Sequence, residues 1–213
     1  MRHSHAFARL AAAGLLAGGL VATAGPALAA GGEGSAYGLT LTGPVPVPPV
    51  PAVSSTTGKV SKHLLREDRT KLVKASALDV SAAPARARSS VARLAVPSAD
   101  LTAGAVSAKC VNGKGMANLA DAVLAGKRLD STPPPNTTIP VDVDGLGRTS
   151  LTLNKQQRTA DGRLAVTAME LMLPGGKGAL KVASATCGRG APVRPPSEAP
   201  APSPVKHDLP VTG

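Results

Sequence analysis

Short alternating runs, broken every few residues by glycine or proline, dominate this chain and leave little room for helices. Its 213 residues include 23 glycines and 20 prolines, both hostile to helix interiors. From Ala105 onward the pattern is regular. Residues 106–111 alternate through Cys110 and close on Asn112-Gly113, a pair suited to a tight hairpin turn. Residues 124–129 read as a hairpin around Gly126, and Thr132-Pro133-Pro134-Pro135 as a loop. Residues 139–143 alternate, Asp144-Gly145 turns the chain, and residues 149–154 alternate again. Asp161-Gly162 makes a further turn before residues 163–169, and Pro174-Gly175-Gly176 separates those from residues 179–187. Short strands at such intervals predict an all-β fold, a single antiparallel β-sandwich-like domain flanked by Pro-rich extended segments.

The N-terminal half is less regular. Residues 37–41 alternate briefly, and residues 44–51 then carry five prolines, which remove ladder donors and favour an extended conformation. Residues 30–58 therefore read as an extended Pro-rich arm or a strap along a sheet edge, not a central strand. Within 59–100, residues 71–80 alternate in part and residues 91–96 resemble a short strand before Pro97. Residues 60–72 fit either a strand or a helical turn or two, because Val60 and Leu64 sit at helical spacing. The β domain is assigned to residues 59–188. Beyond it, residues 191–205 hold six prolines and no apolar periodicity. Residues 189–208 are expected to form a semi-extended stalk, reaching roughly 60 Å at about 3.1 Å per residue.

The start of the chain has the form of an export signal. Arg2 and Arg9 give a positive beginning, residues 10–24 are apolar or small, and Gly25-Pro26 breaks the run before Ala27-Leu28-Ala29. A positive start, a short apolar centre and a small-x-small exit predict a signal peptide over residues 1–29, cleaved between Ala29 and Ala30 by a signal peptidase. A permanent membrane helix is the alternative, but the apolar run is short of the roughly 20 residues a span needs. Cleavage lowers the net charge from +11 to about +9 and removes Phe7, leaving Tyr37 as the sole aromatic residue. The core must then be built from Val, Leu and Ala.

Cys110 and Cys187 are the only cysteines, and export would carry both into an oxidising compartment. An even pair there reads as a disulfide. The bond would close a loop of nearly eighty residues, worth about 4 kcal/mol by chain-entropy reasoning. Two free thiols or a catalytic cysteine are the alternatives, and no histidine lies near either cysteine in sequence.

The chain finishes Leu209-Pro210-Val211-Thr212-Gly213. This resembles the Leu-Pro-x-Thr-Gly sorting signal of Gram-positive surface proteins, a substrate of sortase transpeptidases. In that chemistry a sortase thiolate attacks the Thr212 carbonyl, and an acyl-enzyme forms as the bond to Gly213 breaks. An amine of the cell-wall precursor then accepts the acyl group, which joins Thr212 to peptidoglycan. Leu209 would fill an apolar pocket, Pro210 would kink the peptide, and Gly213 would allow close approach to the scissile bond. Complete signals continue into an apolar segment and a basic tail, so the reading frame is expected to run past Gly213; release to the medium is the alternative.

Several segments resemble the choice-of-anchor P family, small exported surface proteins of high-GC Gram-positive bacteria. They are Ser35-Ala36-Tyr37-Gly38-Leu39, Val106-Ser107-Ala108-Lys109-Cys110 and Pro135-Asn136-Thr137-Thr138-Ile139-Pro140. Leu151-Thr152-Leu153-Asn154, Leu164-Ala165-Val166-Thr167-Ala168 and Ser184-Ala185-Thr186-Cys187-Gly188 continue the likeness, which spans roughly residues 35–188. The resemblance implies surface display through varied C-terminal anchors, with no assigned enzymatic activity and no catalytic residues.

Sharper chemistries find weak support. Asp142-Val143-Asp144-Gly145 begins like a calcium loop, but Leu146 stands where a third oxygen ligand is needed, so no metal site is assigned. His63 lies in a mixed-charge run with Arg66, Glu67, Asp68 and Arg69, and no Gly-x-Ser-x-Gly occurs, so a solvated charged face is expected. The positive surplus is scattered along the sequence, and stacking aromatics are missing, which argues against specific nucleic-acid binding. Aromatic scarcity also weakens any carbohydrate site. Loose attraction to anionic wall polymers is the expected consequence of the charge, or plain solubility. Asn136-Thr137-Thr138 matches a glycosylation sequon but reads as a turn. No cofactor or catalytic residue is assigned. The expectation is a secreted, sortase-anchored protein of the Gram-positive cell surface, with a structural or adhesive role. A freely secreted binding or inhibitory protein is the alternative, and an extracellular hydrolase using His63 a third.

Overall fold

The structure, a computed structural model, describes residues 32–44, 46–67, 72–145 and 147–189. They form thirteen strands: β1 (Gly34–Leu41), β2 (Val47–Ser55), β3 (Val60–Glu67), β4 (Lys74–Ala83), β5 (Arg86–Val96), β6 (Leu101–Val111) and β7 (Lys114–Ala120) come first. The short pair β8 (Val123–Leu124) and β9 (Lys127–Arg128) follows, then β10 (Thr137–Val143), β11 (Gly147–Arg158), β12 (Leu164–Met172) and β13 (Ala179–Cys187). Two antiparallel sheets pack face to face. The first runs β10-β11-β12-β13-β1-β2. The second runs β3-β4-β5-β6, and β6 then pairs with β7 at one end and with the β8-β9 hairpin at the other. The expected all-β sandwich is what the chain forms.

Period-two patterning assigns the faces. In β5, Ala87, Ser89 and Val91 are buried while Arg86 and Arg88 are exposed. The core is aliphatic, with Leu39, Leu78, Leu94, Leu101, Leu119, Leu151, Leu153 and Met169 fully buried. Small residues let the sheets close where bulk is scarce. Gly115 on β7 is one such place, because a Cβ there would stand 2.2 Å from Val166 Cγ2 on the opposite sheet. Cys110 of β6 and Cys187 of β13 form a disulfide, with a Cα–Cα distance of 5.6 Å and both residues 0% exposed. The bond therefore staples one sheet to the other.

Residues 34–55 differ from the expected arm. β1 lies inside the first sheet, paired with β13 on one side and β2 on the other, so the domain begins at Gly34 and not at residue 59. The Pro-rich stretch is nonetheless an edge: β2 is the last strand of its sheet. Composition could not reveal that the C-terminal β13 needs the N-terminal β1 as its partner. The segment left open between strand and helix is a strand, β3, held by β4 from Val60↔Ala82 to Glu67↔Ala75. Strand β7 has only Gly115, Ala117 and Leu119 facing inward, too weak an alternation to mark a strand in the sequence.

Asn112-Gly113 joins β6 to β7 with both residues at positive φ (52° and 71°), the two-residue hairpin its sequence suggests. Ala125-Gly126 does the same between β8 and β9. Asp142 and Asp144 are exposed around the turn into β11, and Asp142 meets Arg148 at 3.4 Å. The expected signal segment with Ala29 and Ala30, the stalk beyond Arg189, and Leu209, Pro210, Thr212 and Gly213 all lie outside the described residues. So do Asp68 and Arg69 of the mixed-charge run.

Candidate functional site

The outer face of the second sheet carries the chain's most distinctive chemistry. Register places its side chains in rows across the strands. One row runs Ala83, Arg86, Val111, Lys114; the next runs Ser61, Ser81, Arg88, Lys109, Met116. A third runs His63, Asp79, Ser90, Ser107, Asn118. Lys59, just before β3, borders the first two rows and lines a shallow groove of about 400 Å³ with Arg86, Arg88 and Lys109.

The sequence expectation of scattered charge is corrected here. Lys59, Arg86, Arg88, Lys109 and Lys114 are all exposed and come together on one face. Alternation does this: Arg86-Ala87-Arg88 and Ala108-Lys109-Cys110 each turn an apolar residue into the core and a cation outward. One part of the signal was readable, since the Asn112-Gly113 hairpin implies that Lys109 and Lys114 share a face. The pairing of β5 with β6, which sets Arg88 directly opposite Lys109, is a tertiary fact.

Among the described residues, five cations elsewhere find carboxylates, while exposed ones such as Lys62, Lys74 and Lys127 stand alone as these do, so what sets this face apart is the gathering of its cations. Lys155 and Lys181 meet the buried Glu170 at 2.5 and 3.7 Å, and Arg163 meets Glu33 and Asp161 at 3.2 and 2.6 Å. Arg148 and Arg128 have Asp142 and Asp121. Among the described residues, none of the five cations of the outer face has a carboxylate within ion-pair reach. The one carboxylate in these rows, Asp79, is engaged by Nδ1 of His63.

That His63–Asp79 pair bears on the hydrolase reading. Both side chains are open to solvent, 71% and 54% exposed, and Ser61, Ser81 and Ser90 stand nearby. Among the described residues, His63 makes a hydrogen bond to Asp79 and none to a hydroxyl, so no serine is set up as a nucleophile against it. The face is also open to solvent, unlike a water-excluding reaction site. What it can do chemically is offer guanidinium and ammonium donors, interleaved with serine hydroxyls, to an anionic surface.

The interior beneath it is tied to the rest of the fold. Ser89, fully buried between Arg88 and Ser90, donates its hydroxyl hydrogen bond to the Tyr37 carbonyl of β1 at 2.8 Å. The disulfide sits one row inward of Lys109. At the same end, Gly32 and Gly188 lie side by side, and Arg189 packs over the Asn112-Gly113 turn. The chain thus enters and leaves the sandwich beside the basic rows.

Comparison with known proteins returns no match: no family model fits this chain, and no curated protein or solved structure resembles it significantly.

Proposed function

We propose that this is an exported, non-enzymatic cell-surface protein of a Gram-positive bacterium, anchored covalently to peptidoglycan by a sortase, with a structural or adhesive role. The observation that carries export is the fully buried disulfide between the two sheets. Buried structural disulfides persist in oxidising compartments outside the cytoplasm, and the form of residues 1–29 supplies the route. Anchoring is supported by the Leu209, Pro210, Thr212 and Gly213 pattern after a Pro-rich stretch, and by the resemblance to choice-of-anchor P proteins. An adhesive or structural role suits a rigid sandwich with an open polar face.

Mass spectrometry of enzymatic wall digests tests the reading. The expected product is a peptide that ends at Thr212 and carries a wall fragment, from a protein whose N-terminus is Ala30. Recovery of the protein from the medium alone, with Gly213 intact, would sink anchoring in favour of a freely secreted binding protein. Recovery in the cytoplasm with both cysteines reduced would sink export itself.

A further inference from the structure

We infer that the basic rows on the outer face of the second sheet bind a linear polyol-phosphate polymer, a base-free phosphodiester polyanion, laid across strands β3 to β7. Three observations carry this. The first is charge without compensation: Lys59, Arg86, Arg88, Lys109 and Lys114 share one face, and among the described residues no carboxylate pairs with any of them. Arg88 and Lys109 are direct cross-strand neighbours, an arrangement that destabilises a sheet unless a counter-charge lies over it.

The second observation is extent. From Lys114 beside β6 to Lys59 at β3 the rows cross four strand intervals, roughly 19 Å at about 4.8 Å each, and successive rows lie about 7 Å apart. A single phosphate cannot span that distance; a flexible chain bearing a charge every few ångströms can. The two guanidinium forks suit phosphate oxygens, while Ser61 and Ser81 supply neutral donors in the row of Arg88 and Lys109. The third is what the face lacks. Its rows contain no aromatic ring on which a base could stack, which disfavours single-stranded nucleic acid as the occupant.

The inference goes beyond anchoring and does not depend on it, because binding is read in solution with the full-length chain. The probe is a fluorescently labelled synthetic poly(glycerol phosphate), titrated at several salt concentrations. Affinity should fall as salt rises. The R88S/K109S variant should bind at least tenfold more weakly, with a log–log salt slope flatter by about 1.4 for two lost phosphate contacts. Both side chains are exposed, so its thermal midpoint should match or exceed that of the parent. K127S/R128S, which removes equal charge from β9 at the far edge of the sheet, should bind within about twofold of the parent. Equal losses in the two variants would reduce the interaction to net charge and overturn the proposal. So would tighter binding of oligodeoxythymidylate of matched charge, which would assign the face to nucleic acid. Inorganic phosphate competing as well as the polymer, at equal phosphate concentration, would overturn the polymeric claim.

Discussion

Ser89 shows how a single polar residue is tolerated in an aliphatic core. It is 0% exposed, and its hydroxyl donates to the Tyr37 carbonyl across the gap between the sheets. Ser89→Ala would leave that carbonyl without its partner, so urea unfolding should report a loss of about 1–3 kcal/mol. Asp161, at the β11–β12 turn, is the contrasting surface case. Its carboxylate accepts from the Thr159 hydroxyl, and from Arg163 Nε at 2.6 Å, and these contacts hold it below the usual carboxylate range. A pKa lowered by folding stabilises the fold at pH values above the unfolded value, and that contribution fades as pH falls through the folded one. Asp161→Asn should therefore melt below the parent at neutral pH, with the gap closing in acid. A constant gap across a thermal-denaturation pH series would contradict this assignment.

Strand pairs show where local pattern and stability part company. Arg88 faces Lys109 across the β5–β6 ladder, with Arg86 and Lys114 close by on the same face. Nothing in the fold requires that repulsion, since a threonine at position 109 would suit the outer face of a strand. Lys109→Thr should raise stability by a few tenths of a kcal/mol, seen as a higher denaturant midpoint at low salt that converges with the parent at high salt. Stability surrendered at one pair is the mark expected of a surface kept for a partner. Strand β11 shows a different conflict. Asn154 adopts φ 47° within it, and its buried amide donates to the Pro133 carbonyl at 2.9 Å while its carbonyl oxygen accepts from Gln156. Asparagine tolerates the left-handed region, so the irregularity is built with a residue suited to it. Alternation over residues 149–154 was readable. The continuation to Arg158 was not, because those polar residues are strand only by virtue of pairing with β12.

At the scale of the molecule, outermost strands need protection from further pairing, and four of the five show a clear device for it. β2 carries Pro48, Pro49 and Pro51, and β10 carries Pro140, so both edges of the first sheet lack ladder donors. In the second sheet, β3 has exposed Lys62, His63 and Arg66, and β9 is only two residues long. The disulfide acts at the same scale. It joins residues 77 apart in sequence and fastens the sheets at the end where the chain enters and leaves. Substituting both cysteines by serine should cost about 2–5 kcal/mol, measured by denaturant unfolding against the oxidised parent. A parent that loses nothing on reduction would show that aliphatic packing alone holds the sheets together.

The all-β class, the hairpin at Asn112-Gly113 and the pairing of Cys110 with Cys187 were legible without coordinates, because period-two patterning, turn chemistry and cysteine parity are local or countable properties. Tertiary structure alone decided the place of β1 beside β13, the bounds and pairing of the three strands of residues 60–96, of which residues 71–80 and 91–96 had a partial signal, and the gathering of five cations on one face. Each depends on which strands pair and in what register, and that is settled by burial summed over the whole core. Lys59 and Lys109, distant in sequence, came to line one groove because the apolar residues beside the cations all had to face the same interior.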